Sequence, residues 1–453
     1  MPATYRRAFL RQAASAGLGI GAGLTVLADA RSARAAPAND KVLLAAVGVR
    51  GRGDALAEGF LDRGDCEIAY VCDVDRKLCE SRGPKYARRQ GRMPRCVSDF
   101  RAALEDPAVD AVVIATPTHW HALATIWSCQ AGKDVYVEKP LCHSAWEGQK
   151  MVEAARKYRR VVQVGTQNRS APYNQAARQY VQEGKLGKIH FIRVYDQKYW
   201  GNFPMEKDGS APPGFDWNMW NGPAPEHPYN PTLRFRWHHL WRYCIGDLGN
   251  DGAHQFDLAR MIVGFGLPRQ VYCTGGRFNT EGAAETPDTQ IATFTYDQLV
   301  VTLELTLYTP YMLKIDQVVR DGDLFPYWPQ CATRIEIYGS EGVMYVGRMG
   351  GGWQVFVRTK DRQPVVKDQM YGRFPDPDHK ENFIRCVRTR EQPNADIEIG
   401  HLSHLALHYA TMSYRTGGRT LAVDPETQHV DDAEAMQLFR REYRKPWVVE
   451  ERV

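Results

Sequence analysis

The sequence has little of what marks a membrane-spanning protein, a nucleic-acid binder or a disulfide-stapled domain. Beyond the amino terminus no apolar run reaches the roughly 20 residues needed to cross a bilayer. Net charge is only +5 over 453 residues, and much of that excess lies in the first 35. A nearly neutral mature chain gives no electrostatic footing for nucleic acid or a membrane surface. The ten cysteines, at 66, 72, 79, 96, 129, 142, 244, 273, 331 and 386, show neither paired nor metal-ligand spacing and are expected to be mostly free, buried thiols. What the chain does have is bulk: a hydrophobic content of 43% over this length suffices for two ordinary domains.

The amino terminus does not read as fold. Thr4-Tyr-Arg6-Arg7-Ala-Phe9-Leu10 precedes a weakly apolar stretch from Ala13 to Leu27 and the small-x-small pattern Ala33-Arg34-Ala35. This resembles a twin-arginine signal cut near Ala35, so residues 1–35 are expected to be removed and the product to be periplasmic or otherwise exported. Export of that kind carries proteins already folded, often with cofactor inside, so the cysteines need not pair.

The stretch with most chemistry is Val135-Tyr-Val-Glu138-Lys139-Pro140, a β-branched and aromatic strand whose charged residues emerge at its carboxyl end. In open α/β sheets ligands sit at that end. Upstream, the strand Lys41–Val47 runs into Gly48-Val-Arg50-Gly51-Arg52-Gly53, a partial dinucleotide fingerprint with Arg50 in the middle glycine's place. A helix over 54–63 and a strand ending in Asp73 follow. Glycines allow close approach to a pyrophosphate, helix amides face it, and the acid can accept from ribose hydroxyls, favouring NAD over NADP. A third strand ends in Thr116-Pro117, followed by His119-Trp-His121, where a metal pair has no further ligand at the right spacing. A further helix and strand end in Gly165-Thr-Gln167-Asn-Arg169. This alternation predicts a doubly wound parallel sheet.

From about Lys188 the texture changes. Strands separated by turns predict a mostly antiparallel sheet, so residues 36–187 read as a Rossmann domain. Residues 188–453 read as an α+β domain for substrate binding and oligomerisation, whose terminal segment is free to pack back on the first. An irregular stretch, 200–243, holds Trp217, Trp220, Trp237, Trp241, Arg234 and Arg236, suited either to sugar faces and carboxylates or to packing the loop itself. In Gly246-Asp-Leu-Gly-Asn250-Asp251-Gly-Ala-His254-Gln-Phe-Asp257, Asn250 or Asp251 is placed to cap a helix ending at Gly264. His254 and Asp257 share a face there, a plausible acid–base pair. His401, His404 and His408 fall on one helical face and are read as packing near the cleft; His379, before a helical run, is left without a role.

Taken together, Glu138-Lys139-Pro140, the glycine turn, Ala115-Thr116-Pro117 and the His254 helix resemble the glucose-fructose oxidoreductase, inositol dehydrogenase and MocA (Gfo/Idh/MocA) family across residues 41–445. The resemblance implies an NAD(P)-dependent oxidoreductase of a sugar, polyol or glycoside. Lys139 would bridge the nicotinamide ribose and the reacting hydroxyl, and His254 would transfer the proton. Cofactor contacts are expected from Gly48, Arg50, Gly51, Arg52, Gly53, Asp73, Thr116, Pro117, His119, His121, Glu138, Lys139 and Gln167; substrate contacts from Arg169, Arg236, Trp237 and His254. The family often has Asp where Asn250 stands, so Asp251 or Asp257 would compensate. Because exported NADH could not be recycled by cytoplasmic enzymes, the cofactor is expected to stay bound. A second sugar or keto acid would re-oxidise it, or an oxidation, elimination, hydration and re-reduction cycle would make the enzyme a glycosidase. A sugar or cofactor sensor is the alternative outside catalysis. The family also implies a homo-oligomer built through the open sheet.

Overall fold

Four short strands rich in valine, alanine and isoleucine are buried on both faces, which only a sheet covered on each side by helices allows. The computed structural model describes residues 41–199, 203–279 and 282–453; the twin-arginine segment and Trp200 lie outside them. β1 (Val42–Val47), α1 (Arg52–Leu61), β2 (Cys66–Cys72), α2 (Arg76–Gln90), β3 (Arg95–Val97), β4 (Ala111–Ile114), α3 (His121–Gln130), β5 (Asp134–Val137), α4 (Ala145–Lys157) and β6 (Val162–Val164) build a six-stranded sheet of order β3-β2-β1-β4-β5-β6. Every pairing in it is parallel. The strand order reverses between β1 and β4, which places a crevice at their carboxyl ends.

The helix α5 (Pro172–Gln182) leads to β7 (Ile189–Gln197), whose alternation buries Ile192 and Val194. After the irregular segment comes α6 (Gly252–Val263), stopped by Gly264 at φ 87°, a left-handed conformation that glycine adopts without strain. Then follow β8 (Gln270–Gly276), β9 (Thr289–Thr295), β10 (Val300–Thr306), β11 (Arg334–Gly339), β12 (Gly342–Gly347), β13 (Trp353–Arg358) and β14 (Pro364–Met370). With β15 (Leu421–Asp424) and β16 (His429–Val430) they form a second sheet, ordered β14-β13-β12-β11-β7-β10-β9-β8-β15-β16. Only β7 and β10 pair in parallel; the other pairings are antiparallel. One face of this sheet packs on α6 and on α8 (Ile397–Arg415) through Phe256, Phe294, Leu303 and Leu405, all fully buried.

The two sheets exchange segments. Tyr173, Ala177 and Tyr180 of α5 enter the core of the second sheet. In the other direction, Phe383 and Ile384 of α7 (Asp376–Thr389), with Trp447 and Val453 near the carboxyl terminus, pack on the parallel sheet. The ten cysteines are all free thiols, nine of them buried.

Candidate active site

The glycine turn is built by exclusion. Gly48 sits at φ 78° with Ala115 and Thr116 backbone 2.9 Å from where a Cβ would lie, and a Cβ on Gly53 would meet the Gly48 carbonyl at 1.7 Å. No other residue fits either place. The turn opens α1 toward a cavity of about 350 Å³ lined by Gly48, Arg50, Gly51, Arg52, Asp73, Thr116 and Pro117. Asp73 is fixed by amide donation from Val49 and Asp75, each at 2.9 Å, and burial pushes its pKa up. The Thr116 hydroxyl is buried without a partner. A concave, largely apolar cavity with a helix start, an acid and an orphaned hydroxyl fits a dinucleotide.

The cavity's roof comes from the tryptophan-rich segment. Phe215, Met219, Trp220, Arg234 and Trp237 line it. The segment is pinned by Arg76 donating its amide to Gly214 at 2.9 Å, by an ion pair between Arg234 and Asp75, and by Arg50 over the Phe235 ring at 4.3 Å. Trp217 stacks on Trp220 with centroids 4.8 Å apart. These rings pack the segment and cover the cofactor crevice. Trp237, expected on the substrate, faces that crevice instead, and the Arg236 guanidinium lies 5.3 Å from the centre of the Phe203 ring.

At the end of β5, Glu138 accepts from Arg52 at 2.8 Å and from Gln167 at 3.3 Å, and the other side of the Arg52 fork reaches Asp376 at 2.6 Å. Burial opposes the Arg52 charge, but Glu138 and Asp376 outweigh it and hold its pKa well up. Lys139 donates to the Asn250 carbonyl at 2.8 Å and to its side-chain oxygen at 3.1 Å, and lies 3.8 Å from Asp251. Burial lowers the Lys139 pKa, Asp251 counteracting it. Asn250 donates to Asp247 at 2.8 Å, which turns its oxygen toward Lys139.

His254 lies one turn further on, 4% exposed, with Nδ1 buried and unpartnered. Burial, then the charges of Arg348 and Lys139, hold its pKa well below the usual value, so the ring is neutral at pH 7. Asn250 and Asp251 do not cap its helix. Asn250 ends a preceding short helix, Gly246–Asn250, and Asp251 makes no side-chain cap bond. The Asp251 carboxylate instead binds Lys198, Lys314 at 2.8 Å and Arg348 at 3.3 Å. Asp257 is no partner of His254 either: Arg169 binds it bidentately at 2.8 Å, and Ser403 donates to it at 2.6 Å. That pairing also occupies Arg169, expected on the substrate.

Two further expectations are corrected. His119 is fully buried, bound to the Trp220 carbonyl at 2.9 Å and packed on Tyr243. His121 bridges the Thr116 and Pro140 carbonyls at 2.8 and 2.7 Å. Both brace the loops around the crevice; neither lines it. His379 bridges Ser170 and Val164, His401 meets Gln428, His404 its own helix and His408 Cys142.

Sequence reasoning missed Lys198, Asp247, Arg348, Lys314 and Asp376. Asp247 sits inside the quoted Gly246–Asp257 stretch, and Lys198 directly follows a strand's carboxyl end, so those two carried a local signal. The other three are brought in by long-range contacts.

A parallel sheet bearing a glycine turn, an acid and a lysine at its carboxyl edge, joined to an open sheet that presents a histidine, defines a two-domain, NAD-binding oxidoreductase. Family models match nearly the whole described chain: an oxidoreductase-family NAD-binding Rossmann fold over residues 42–166, a Gfo/Idh/MocA carboxyl-terminal domain over 174–345, and an oxidoreductase-family carboxyl-terminal alpha/beta domain over 340–449. The chain belongs to the Gfo/Idh/MocA family. Among its relatives, levoglucosan dehydrogenase of Pseudarthrobacter phenanthrenivorans is 28% identical over 42% of this chain and 43% of its own length. A glycosyl hydrolase family 109 protein of a Shewanella species is 28% identical over 26% of this chain and 27% of its own. The alignments thus span less than half of these relatives. A solved structure of levoglucosan dehydrogenase with NADH and levoglucosan has the same fold, at a TM-score of 0.62 and 19% identity over 84% of this chain and 99% of that one.

Proposed function

We propose that the protein oxidises a hydroxyl of a sugar, polyol or glycoside, with Lys139 and His254 as catalytic residues. The observation carrying this reading is that Lys139, at the carboxyl edge of the parallel sheet, meets Asn250 and Asp251 one turn before His254 and lies within electrostatic reach of that ring. An ammonium has three N–H donors, and Asn250 takes two from Lys139. The third is available to a developing alkoxide. His254, neutral and with an orphaned ring nitrogen, accepts the hydroxyl proton. NAD, when bound, supplies the hydride acceptor. In a His254→Ala variant NADH fluorescence should no longer appear on adding a sugar substrate; turnover at the wild-type rate would sink the assignment.

The roof over the crevice supports a cofactor that is retained and recycled in place, as export through the twin-arginine route requires. Replacing Arg6 and Arg7 by lysine should hold the precursor in the cytoplasm, seen by fractionation. Similarity to a family 109 hydrolase supports a second reading, net glycoside hydrolysis by an oxidation, elimination, hydration and re-reduction cycle. Release of p-nitrophenol from an aryl glycoside without added acceptor would select it. The open face of the ten-stranded sheet, with Tyr272, Ile291 and Val300 exposed, suits pairing with a second copy, measurable by light scattering.

A further inference from the structure

Among the described residues, the surroundings of His254 carry more positive charge than their own carboxylates balance. Lys139, Lys198, Lys314 and Arg348 all meet Asp251, and Lys198 also meets Asp247 and, at 3.5 Å, Asp196. Asp196 is fully buried with neither oxygen hydrogen-bonded, and burial pushes its pKa well up. Four cations therefore face three carboxylates, Asp196, Asp247 and Asp251. A fifth, Arg320, lies within electrostatic reach of Arg348: burial and then Arg348 lower its pKa, with Asp321 and Asp376 opposing. Arg320 packs on the turn after β12, where a Cβ on Gly350 (φ 88°) would lie 3.1 Å from the Arg320 Cα. Its guanidinium lies over Phe374 and has no ion pair among the described residues. The Nε atoms of both Arg320 and Arg348 are buried without hydrogen-bond partners.

Salt bridges that only neutralised Asp196, Asp247 and Asp251 would need three cations, and with Arg320 five are present. Burying the surplus with guanidinium donors unsatisfied is costly unless an anion completes the cluster. Arginine forks bind carboxylates bidentately. Lys314, 41% exposed, reaches the cluster from the solvent side, giving an anion a way in.

We propose that Arg348, Lys314 and Arg320 form an anion subsite beside His254, and that the substrate is a sugar acid whose carboxylate binds there while its hydroxyl faces Lys139 and His254. This rests on the oxidoreductase reading above. A carboxylate there would also offset the charges that make His254 a weak base, coupling recognition to proton transfer.

The test uses the full mature protein loaded with NAD. Calorimetry compares D-glucuronate, D-galacturonate and D-mannuronate with the matching neutral hexoses and with D-glucose 6-phosphate. At least one uronate should bind on the order of tenfold more tightly than its hexose, the scale of one charge-assisted hydrogen bond. Lys314→Gln and Arg348→Gln should each reduce that preference to near unity. The exposed Lys314 position keeps the test open if the Arg348 variant fails to fold. Equal binding of uronates and hexoses, binding of no uronate, a preference unchanged in Lys314→Gln, or tighter binding of the phosphate ester would each overturn the carboxylate subsite. Lys139→Ala separates the two claims. Uronate that still binds but yields no NADH supports both, whereas undiminished NADH formation would remove the catalytic reading on which the subsite depends.

Discussion

Replacing Lys139 by alanine removes a donor whose geometry is fully specified. Two of its N–H groups are held by Asn250 at 2.8 and 3.1 Å, and the ammonium lies 3.8 Å from Asp251. In the proposed mechanism the third donor meets the developing negative charge. Loss of one such preorganised donor costs about 10²–10³ in kcat, roughly 2.7–4 kcal/mol. An independent figure agrees: a unit charge about 4 Å away at an effective dielectric near 20 contributes about 4 kcal/mol. NAD affinity should change less than threefold: the resemblance implies a contact from Lys139 to the nicotinamide ribose, but Lys139 is not among the residues lining the crevice. The fold should tolerate the change, since burial already disfavours this charge. Stopped-flow NADH fluorescence measures the chemical step, and quenching of Trp220 and Trp237 reports NAD binding. A kcat within threefold of wild type would refute the donor role. Parallel loss of NAD binding would show Lys139 to be a cofactor clamp instead.

Gly53→Ala should abolish NAD binding, because its Cβ would lie 1.7 Å from the Gly48 carbonyl; an unchanged dissociation constant by fluorescence would contradict the turn's role. Arg234→Ala breaks the ion pair with Asp75 that pins the roof and should speed NAD release about tenfold, the scale of one lost charge-assisted bond. A displacement experiment with an unchanged off-rate would remove the roof from the account. Burial lowers His119 and His408 to about 3 and His379 and His404 to about 4. Between those values and about 6.5 the unfolded chain binds protons that the folded chain refuses, so stability falls as pH drops through that window. With about 1.4 kcal/mol per pH unit for each histidine, thermal melts should show steep acid unfolding, and a flat melting temperature from pH 7 to 5 would contradict the burial assignments.

Where chemistry follows a local strand or turn, the sequence was readable. The change to an antiparallel sheet from about Lys188 matches β7 starting at Ile189, and Lys139 was placed by the strand before it. Glycine signals at 48, 53 and 264 served equally well, because each reports a backbone demand that no other residue meets. Contacts between distant segments left no such trace. Asp257 looks like a partner for His254 at helical spacing, yet Arg169, 88 positions away, claims it. Arg348 and Lys314 reach Asp251 across 97 and 63 positions. His119 and His121 read as ligands because histidine beside tryptophan is ambiguous until burial is known. Burial decides it, for both rings bond backbone carbonyls and neither lines the crevice. Trp237 misled for a related reason, since an aromatic platform looks the same whether it meets a sugar or a dinucleotide.

The proposed chemistry needs a cofactor held in the roofed crevice at the carboxyl ends of β1 and β4. The most direct measurement purifies the protein, expressed from its full-length sequence, without added nucleotide, denatures it in acid and quantifies released dinucleotide by mass spectrometry. Close to one NAD per chain is expected. An empty protein that binds NAD only weakly would contradict it.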